Sequence, residues 1–475
     1  MIDHVGEVAG ALGAAFLAVL SALGWCPAAI AGVPASAVSD AAGGMDDAQP
    51  CDELAAFTCS TLRVPIDHDG EVAGSFDLAV AVSDNDQAPG GVLLFLAGGP
   101  GQAGVATAPR VVERYLDPLV LEHFRLVMFD QRGTGAAAID CGPLQAAVGG
   151  SDYLTPPRRA VEECGEHLDG QRDFLSTADT VGDIELLRRA LGAEEMVIDG
   201  VSYGTFTAAH YALAYPHRVA ALVLDSVVPQ DGFDPFARTE MSAAARVLAD
   251  ACADARCSSD PVAELARLVG DGTVAGPALI EMLAVSSLSS VEPSMTGVID
   301  ALADAGDGDV DGLRRLLAQA TSVGLPAWQL SAGLHLATIC TDQRFPWGDS
   351  STPLHQRQPA LDEALAGLRL ADIAPFDVAT AGSLLAIAGC RYWPESRPAR
   401  FAEHTVIAAP TLIVVGEHDL FTPLEWAQQE LEHLANGRLV VVPGGGHGAQ
   451  ASSDPAARDA VTDFLISGGR HPIDG

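Results

Sequence analysis

Three side chains in this sequence could together carry out acyl transfer: Ser202, Asp419 and His447. Ser202 is the centre of GVSYG at residues 200–204. The segment 195–199 (EMVID) reads as a short buried strand running into it, and 205–215 (TFTAAHYALAY) reads as a helix running out. A serine on so sharp a strand-to-helix turn is held in a strained backbone conformation that lifts its hydroxyl clear of the sheet. The flanking glycines let strand and helix pass closely. A hydroxyl is a weak nucleophile until a base takes its proton and an acid orients that base. Downstream, PTLIVV at 410–415 reads as a strand opening into GEHD at 416–419, and RLVVV at 438–442 as another ending in PGGGHG at 443–448. Asp419 and His447 thus follow two successive strands, where loops carry chemistry. In this reading Ser202 attacks, His447 is base and then acid, and Asp419 holds the imidazole tautomer. Asp225, after the apolar stretch 221–224, competes for the acid's role, but the short strand-rich stretch linking Asp419 to His447 favours Asp419. His418 sits beside the acid and reads as structural, because neighbouring residues at a strand end point in different directions.

The oxyanion formed by such an attack needs donors already aimed at it. One is expected from the backbone N–H of Tyr203, the residue after the nucleophile. The other is expected from the glycine-rich loop AGGPG at 97–101, which follows the apolar run VLLFL at 92–96; Gly99 is the nominated donor.

The elements that must position these groups are legible as apolar runs. Strand candidates fall at 62–67, 76–82, 91–96, 124–130, 195–199, 221–224, 410–415 and 438–442, eight in all. Helical stretches between them argue for a mainly parallel sheet covered on both faces. A closing helix is expected over 454–467, with Pro455 at its start. From 229 to about 404 the strand pattern gives way to helices, for example at 241–253, 261–268 and 330–339. This insertion separates the sixth and seventh strands and is expected to fold over the site as a cap that narrows access and supplies substrate contacts.

GGPG at 98–101, DQRGTG at 130–135, GVSYG, GEHD and GGGHG at 444–448 occur in one order. Together they resemble the α/β-hydrolase peptidases, and more narrowly the secreted tripeptidyl-aminopeptidase-like branch of the prolyl-aminopeptidase family. Cys340-Thr341-Asp342 and Cys390-Arg391-Tyr392-Trp393-Pro394 agree with that resemblance, which covers residues 50–468. Prolyl aminopeptidases usually carry histidine and tryptophan where this chain has Ala97 and Tyr203. The resemblance implies an α/β-hydrolase fold: a mostly parallel eight-stranded sheet with a helical cap between strands six and seven. The expected division is a signal peptide at 1–37, a flexible lead-in at 38–50, a first hydrolase segment at 51–229, the cap at 230–404 and a second hydrolase segment at 405–475.

Composition narrows the partners. Twenty-six basic and 63 acidic residues give a formal charge of −37, and every basic residue is arginine. Such a surface disfavours nucleic acid and anionic membranes. Residues 8–25 are apolar apart from a serine, and PASA at 34–37 resembles a small-residue cleavage site, although no lysine or arginine precedes the apolar stretch. An exported protein, secreted or held in the cell envelope, is the expectation. Eight cysteines remain after that leader, an even number that suits disulfides. Pairing in chain order is the simplest arrangement and the one the resemblance favours: Cys51–Cys59, Cys141–Cys164, Cys252–Cys257 and Cys340–Cys390. No cysteine and histidine spacing supports zinc. Asp307, Asp309, Asp311 and Gly312 imitate the opening of a calcium loop, but Ala318 stands where its bidentate glutamate belongs. Asp130-Gln131-Arg132 follows a central strand, and Arg132 reads as a buried tie between loops.

The resulting expectation is a serine exopeptidase without metal or cofactor, acting on peptides with a free N-terminus and releasing short peptides, tripeptides foremost, or single residues. A carboxylesterase with the same three residues is the alternative. Choosing a free amine requires an anionic group at the far end of the pocket; Asp342 is the candidate.

Overall fold

The computed structural model describes residues 44–469, apart from residues 53, 258, 289–294, 322–323, 403–404 and 453. The expected leader at 1–37 lies outside the described residues. Nine strands form one sheet: β1 (Met45–Pro50), β2 (Phe57–Pro65), β3 (Ser75–Ser83), β4 (Val92–Leu96), β5 (Arg125–Phe129), β6 (Met196–Val201), β7 (Val219–Asp225), β8 (Thr411–Gly416) and β9 (Gly437–Val442). Their order is β1-β2-β3-β5-β4-β6-β7-β8-β9. Pairing is antiparallel from β1 through β3 to β5 and parallel from β5 onward.

The ninth strand corrects the expected eight. β1 occupies part of the segment expected to be a flexible lead-in. Its residues are almost all exposed, so no apolar pattern announces it. Backbone pairing with β2 holds it, and the Cys51–Cys59 disulfide closes the turn between them. The central strands differ in kind. β4, β6 and β8 are buried at every residue, as expected where helices cover both faces of a parallel sheet. Leu94, Leu96 and Ile198 point to one face, against the helices Thr177–Ala190 and Tyr203–Ala214. Leu93, Phe95 and Val197 point to the other, against Pro118–His123 and Pro455–Ile466.

Between β7 and β8 every named element of the described residues is a helix, from Arg238–Ala255 to Leu385–Cys390. The apolar core of this insertion is not closed on itself. Cys141, Leu144, Val161 and Leu175, from the segment between β5 and β6, pack into the same cluster as Met241, Leu283 and Leu336. All four cysteine pairs form in the expected order, with Cα separations of 5.0, 5.3, 5.1 and 5.1 Å. Arg132 is buried as expected. It donates to Asp183 at 2.6 and 2.8 Å and to the carbonyls of Ile66 and Phe174.

Candidate active site

Ser202 follows β6 directly and is the N-cap of the helix Tyr203–Ala214, with φ 58° and ψ −129°. A non-glycine residue in that region costs about 1–3 kcal/mol and persists only where its surroundings over-determine it. The surroundings here do. The Ser202 N–H donates to the Asp225 carbonyl at 2.9 Å. Thr205 Oγ1 donates to the Ser202 carbonyl at 2.6 Å and accepts from the Val228 N–H at 2.9 Å. Glycine is required where the chains cross: a Cβ on Gly204 would lie 2.3 Å from the Leu96 carbonyl oxygen, and one on Gly98 would lie 2.8 Å from the Ser202 Cβ.

His447 and Asp419 meet at the ends of β9 and β8. His447 Nδ1 lies 2.9 Å from Asp419 Oδ2 and 3.1 Å from Oδ1. Asp419 is fully buried and also accepts from the N–H groups of Phe421 and Thr422 and from Thr422 Oγ1 at 2.8 Å. Burial is the largest single influence on Asp419 and favours the neutral acid, but the charge and hydrogen bond of His447 with the Thr422 bonds outweigh it, so the carboxyl sits below its ordinary range. Burial likewise opposes protonation of His447; Asp419 reverses the balance and holds the imidazole above its usual value. An acceptor-only carboxylate at Nδ1 requires the proton there and leaves Nε2 free to act as a base. Among the described residues no hydrogen bond joins the Ser202 hydroxyl to that ring; such bonds are often loose without substrate. Asp225, the rival acid, has another task. Its carboxylate accepts from the N–H groups of Ala449 and Gln450 at 2.8 and 2.9 Å and so holds the histidine loop. His418 is buried, its N–H bonded to the Gly445 carbonyl.

The residues nominated as oxyanion donors line the same cleft. Tyr203 is the first residue of its helix, where an N–H has no partner within the helix. In the loop after β4 the Gly98 N–H is bonded to Gln102 Oε1 at 3.2 Å, whereas the Gly99 N–H has no acceptor among the described residues. Gly99, Pro100, Ser202 and Tyr203 line one cleft.

An alpha/beta hydrolase fold profile matches residues 91–454, more than half of the chain. The chain belongs to the alpha/beta hydrolase family. It is 26% identical over 458 residues to a tripeptidyl aminopeptidase of Streptomyces coelicolor, covering 86% of this chain and 81% of that protein. It is also 26% identical over 468 residues to the serine protease Hip1 of Mycobacterium tuberculosis, covering 87% and 86%. Among solved structures, a proline iminopeptidase of Mycobacterium smegmatis matches at 18% identity and a TM-score of 0.42, over 86% of this chain and 99% of that one.

The hydrolase does not bring Asp342 into the Ser202 cleft, which corrects the expectation of an amine anchor there. Asp342 is buried, and its oxygens are already engaged by the Tyr203 hydroxyl at 2.9 Å and the Thr177 N–H at 3.1 Å. Burial pushes its pKa up to about 7. The cleft instead receives Asp152, Asp234 and Glu240, with Phe233, Phe421 and Trp426 among its apolar walls. Glu240, in the first turn of the helix Arg238–Ala255, is the most unusual of these. It is buried, its Oε2 has no hydrogen-bond partner among the described residues, and burial holds its pKa well above the ordinary carboxylate range.

Sequence reasoning also missed Thr422, whose hydroxyl bonds Asp419 and lies 3.2 Å from His447 Nδ1. A turn-forming aspartate that accepts from N–H groups two and three residues on is a recognisable local pattern and could have pointed to it. No local signal marks Glu240, because its role depends on which helix end meets the cleft.

Proposed function

We propose that this hydrolase is an exported aminopeptidase that cleaves short peptides, tripeptides among them, from free N-termini through an acyl-enzyme on Ser202. The observation that carries this reading is Glu240: a buried carboxyl with an unpartnered oxygen in the wall of the Ser202 cleft. A buried acceptor left unpaired is costly, and a cationic donor is the partner that relieves it best. The α-ammonium of a peptide supplies that donor; Asp152 and Asp234 line the same cleft but already face His335 and Arg238, which leaves Glu240 as the acid to receive it. An anchored N-terminus fixes how many residues fit before the scissile bond, which is how an exopeptidase measures length. The names of the relatives, a tripeptidyl aminopeptidase and a serine protease, support peptides as substrates. The four disulfides support export.

In this mechanism Ser202 Oγ attacks the scissile carbonyl as its proton passes to His447 Nε2. The oxyanion is held by the N–H groups of Tyr203 and Gly99. Collapse expels the amine of the downstream peptide, which takes the proton from His447. Water, deprotonated by the same ring, then releases the acyl group.

The test compares a free-amino tripeptidyl anilide, its N-acylated twin and a short acyl ester, each with wild type and Ser202→Ala. Turnover of the free peptide far above its blocked twin, abolished in Ser202→Ala, is the expected result. Turnover of the ester alone would move the protein to the carboxylesterases.

A further inference from the structure

We propose that the insertion helix Ala332–Asp342 is a positioning element for the oxyanion hole, holding the Gly99 loop through His335 and Tyr203 through Asp342. The inference rests on the reading of Ser202 as nucleophile and of Gly99 and Tyr203 as oxyanion donors. His335 Nδ1 lies 2.9 Å from the Pro100 carbonyl oxygen. A carbonyl can only accept, so the ring donates. The turn before the helix grips the same loop: the Ser331 N–H donates to the Gly101 carbonyl at 2.9 Å, and the Ala103 N–H donates to the Gln329 carbonyl at 3.0 Å. The approach is so close that a Cβ on Gly101 would sit 2.6 Å from the Ser331 oxygen. At the other end, Asp342 accepts from the Tyr203 hydroxyl, which orients the residue whose N–H is the second donor.

His335 and Asp342 are seven residues apart, two helical turns, so they leave the helix on nearly the same side about 10 Å apart. One rigid rod therefore touches both halves of the hole, which otherwise belong to different strands, β4 and β6. The rod is itself fixed. Ser331 Oγ caps its first turn and donates to the Ile139 carbonyl, Thr338 Oγ1 donates to the Leu175 carbonyl at 2.8 Å, and Cys340 is joined to Cys390. His335 Nε2 faces Asp152 Oδ1 at 3.0 Å, an ion-pair contact off the line of a hydrogen bond. Burial opposes a charged His335, but Asp152, the Pro100 carbonyl and Glu281 together hold its pKa above the usual value. The ring is thereby kept as a donor toward Pro100. An oxyanion hole works by donors fixed before the charge develops, so this brace acts on the transition state rather than on substrate binding.

The test measures kcat and KM for Tyr203→Phe, His335→Leu and His335→Gln on the acyl ester and on the free-amino tripeptidyl anilide, with Ser202→Ala as control and the thermal midpoint of each variant recorded. Removing one oxyanion donor costs about 10²–10³-fold; a donor that is kept but loosened is expected to cost less, about tenfold. Tyr203→Phe and His335→Leu are expected to lower kcat by about that factor on every substrate the wild type turns over, with KM within about twofold. His335→Gln, which can still donate to the Pro100 carbonyl, is expected to recover most of the loss. Unchanged kcat in both Tyr203→Phe and His335→Leu overturns the proposal, and so does a rise in KM at constant kcat. Should His335→Leu fail to fold, Tyr203→Phe decides alone, and an unchanged kcat there overturns the proposal. Activity surviving in Ser202→Ala would instead remove the nucleophile reading beneath it.

Discussion

The strand-end loops and the helical insertion meet at Ser202, but they are built by different means. The loops rely on backbone. Ser202 is forced to a positive φ, glycines clear the crossings, and Asp225 and Asp419 each accept two backbone N–H groups that hold neighbouring turns. The insertion adds single side chains projected from helices, Glu240 into the cleft, His335 onto the Pro100 carbonyl and Asp342 onto Tyr203, to the backbone bonds that Gln329 and Ser331 make with the Gly99 loop. Ser287 adds another tie, its carbonyl accepting the His447 N–H at 3.1 Å. Chemistry common to many acyl transfers thus sits on geometry that only a few residue types permit. The features proposed to select a substrate sit on helix faces where many residues would fold equally well.

The sharpest way to break this contrast is to remove the acid while leaving the shape. Asp419→Asn keeps the side-chain volume but lets the histidine take the wrong tautomer, and kcat should fall by about 10⁴-fold. Asp225→Asn should cost far less, since its carboxylate bonds backbone N–H groups and touches neither ring nitrogen in hydrogen-bond range. Steady-state kinetics on the acyl ester distinguishes them. An Asp225 variant as impaired as the Asp419 one would mean that the acid has been assigned to the wrong strand.

The second comparison separates chemistry from selection. Glu240→Gln preserves shape and removes the carboxyl that an arriving ammonium would draw into its charged form. It should raise KM for the free-amino tripeptide by about 10- to 100-fold, the worth of one charge-assisted contact, and leave ester turnover within about twofold. An equal loss on both substrates would make Glu240 part of the structural frame instead of the binding wall.

The same division explains what was legible in the sequence. GVSYG, GEHD and GGGHG are readable because a strained turn or a close crossing admits few residues, so spacing alone marks them. The buried parallel strands were readable as continuous apolar runs. β1 was not, because an exposed edge strand held by backbone bonds and a disulfide has no apolar face to betray it. Asp342 was legible as an acid beside a conspicuous cysteine, but its direction was not. Cys340 and Asp342 differ by two positions and so face different sides of their helix. One enters a disulfide while the other turns to Tyr203. Glu240 and His335 depend on how distant helices dock, which no short window of sequence encodes.

The smallest expected effect is a shift in pH dependence, and it probes how the two regions share control of His447. The ring must be neutral at Nε2 to accept the serine proton, so kcat/KM falls as pH drops through its pKa. Asp419 holds that pKa above the reference value near 6.5 against the opposing effect of burial. The acidic limb of the wild type should therefore lie above about pH 6.5. In Asp419→Asn the largest attraction is gone, leaving the weaker pull of Asp225 and Asp152 against burial, so the limb of the residual activity should move to lower pH. The measurement belongs on the acyl ester, because a peptide amine and Glu240 would add titrations of their own. A wild-type limb below the reference value, or one unmoved by Asp419→Asn, would mean that a group other than His447 governs the rate. The tie from Ser287 makes a further distinction possible. It holds the histidine's backbone without touching its ring nitrogens, so the limb should report the carboxylate of β8 and not the helix that steadies the loop.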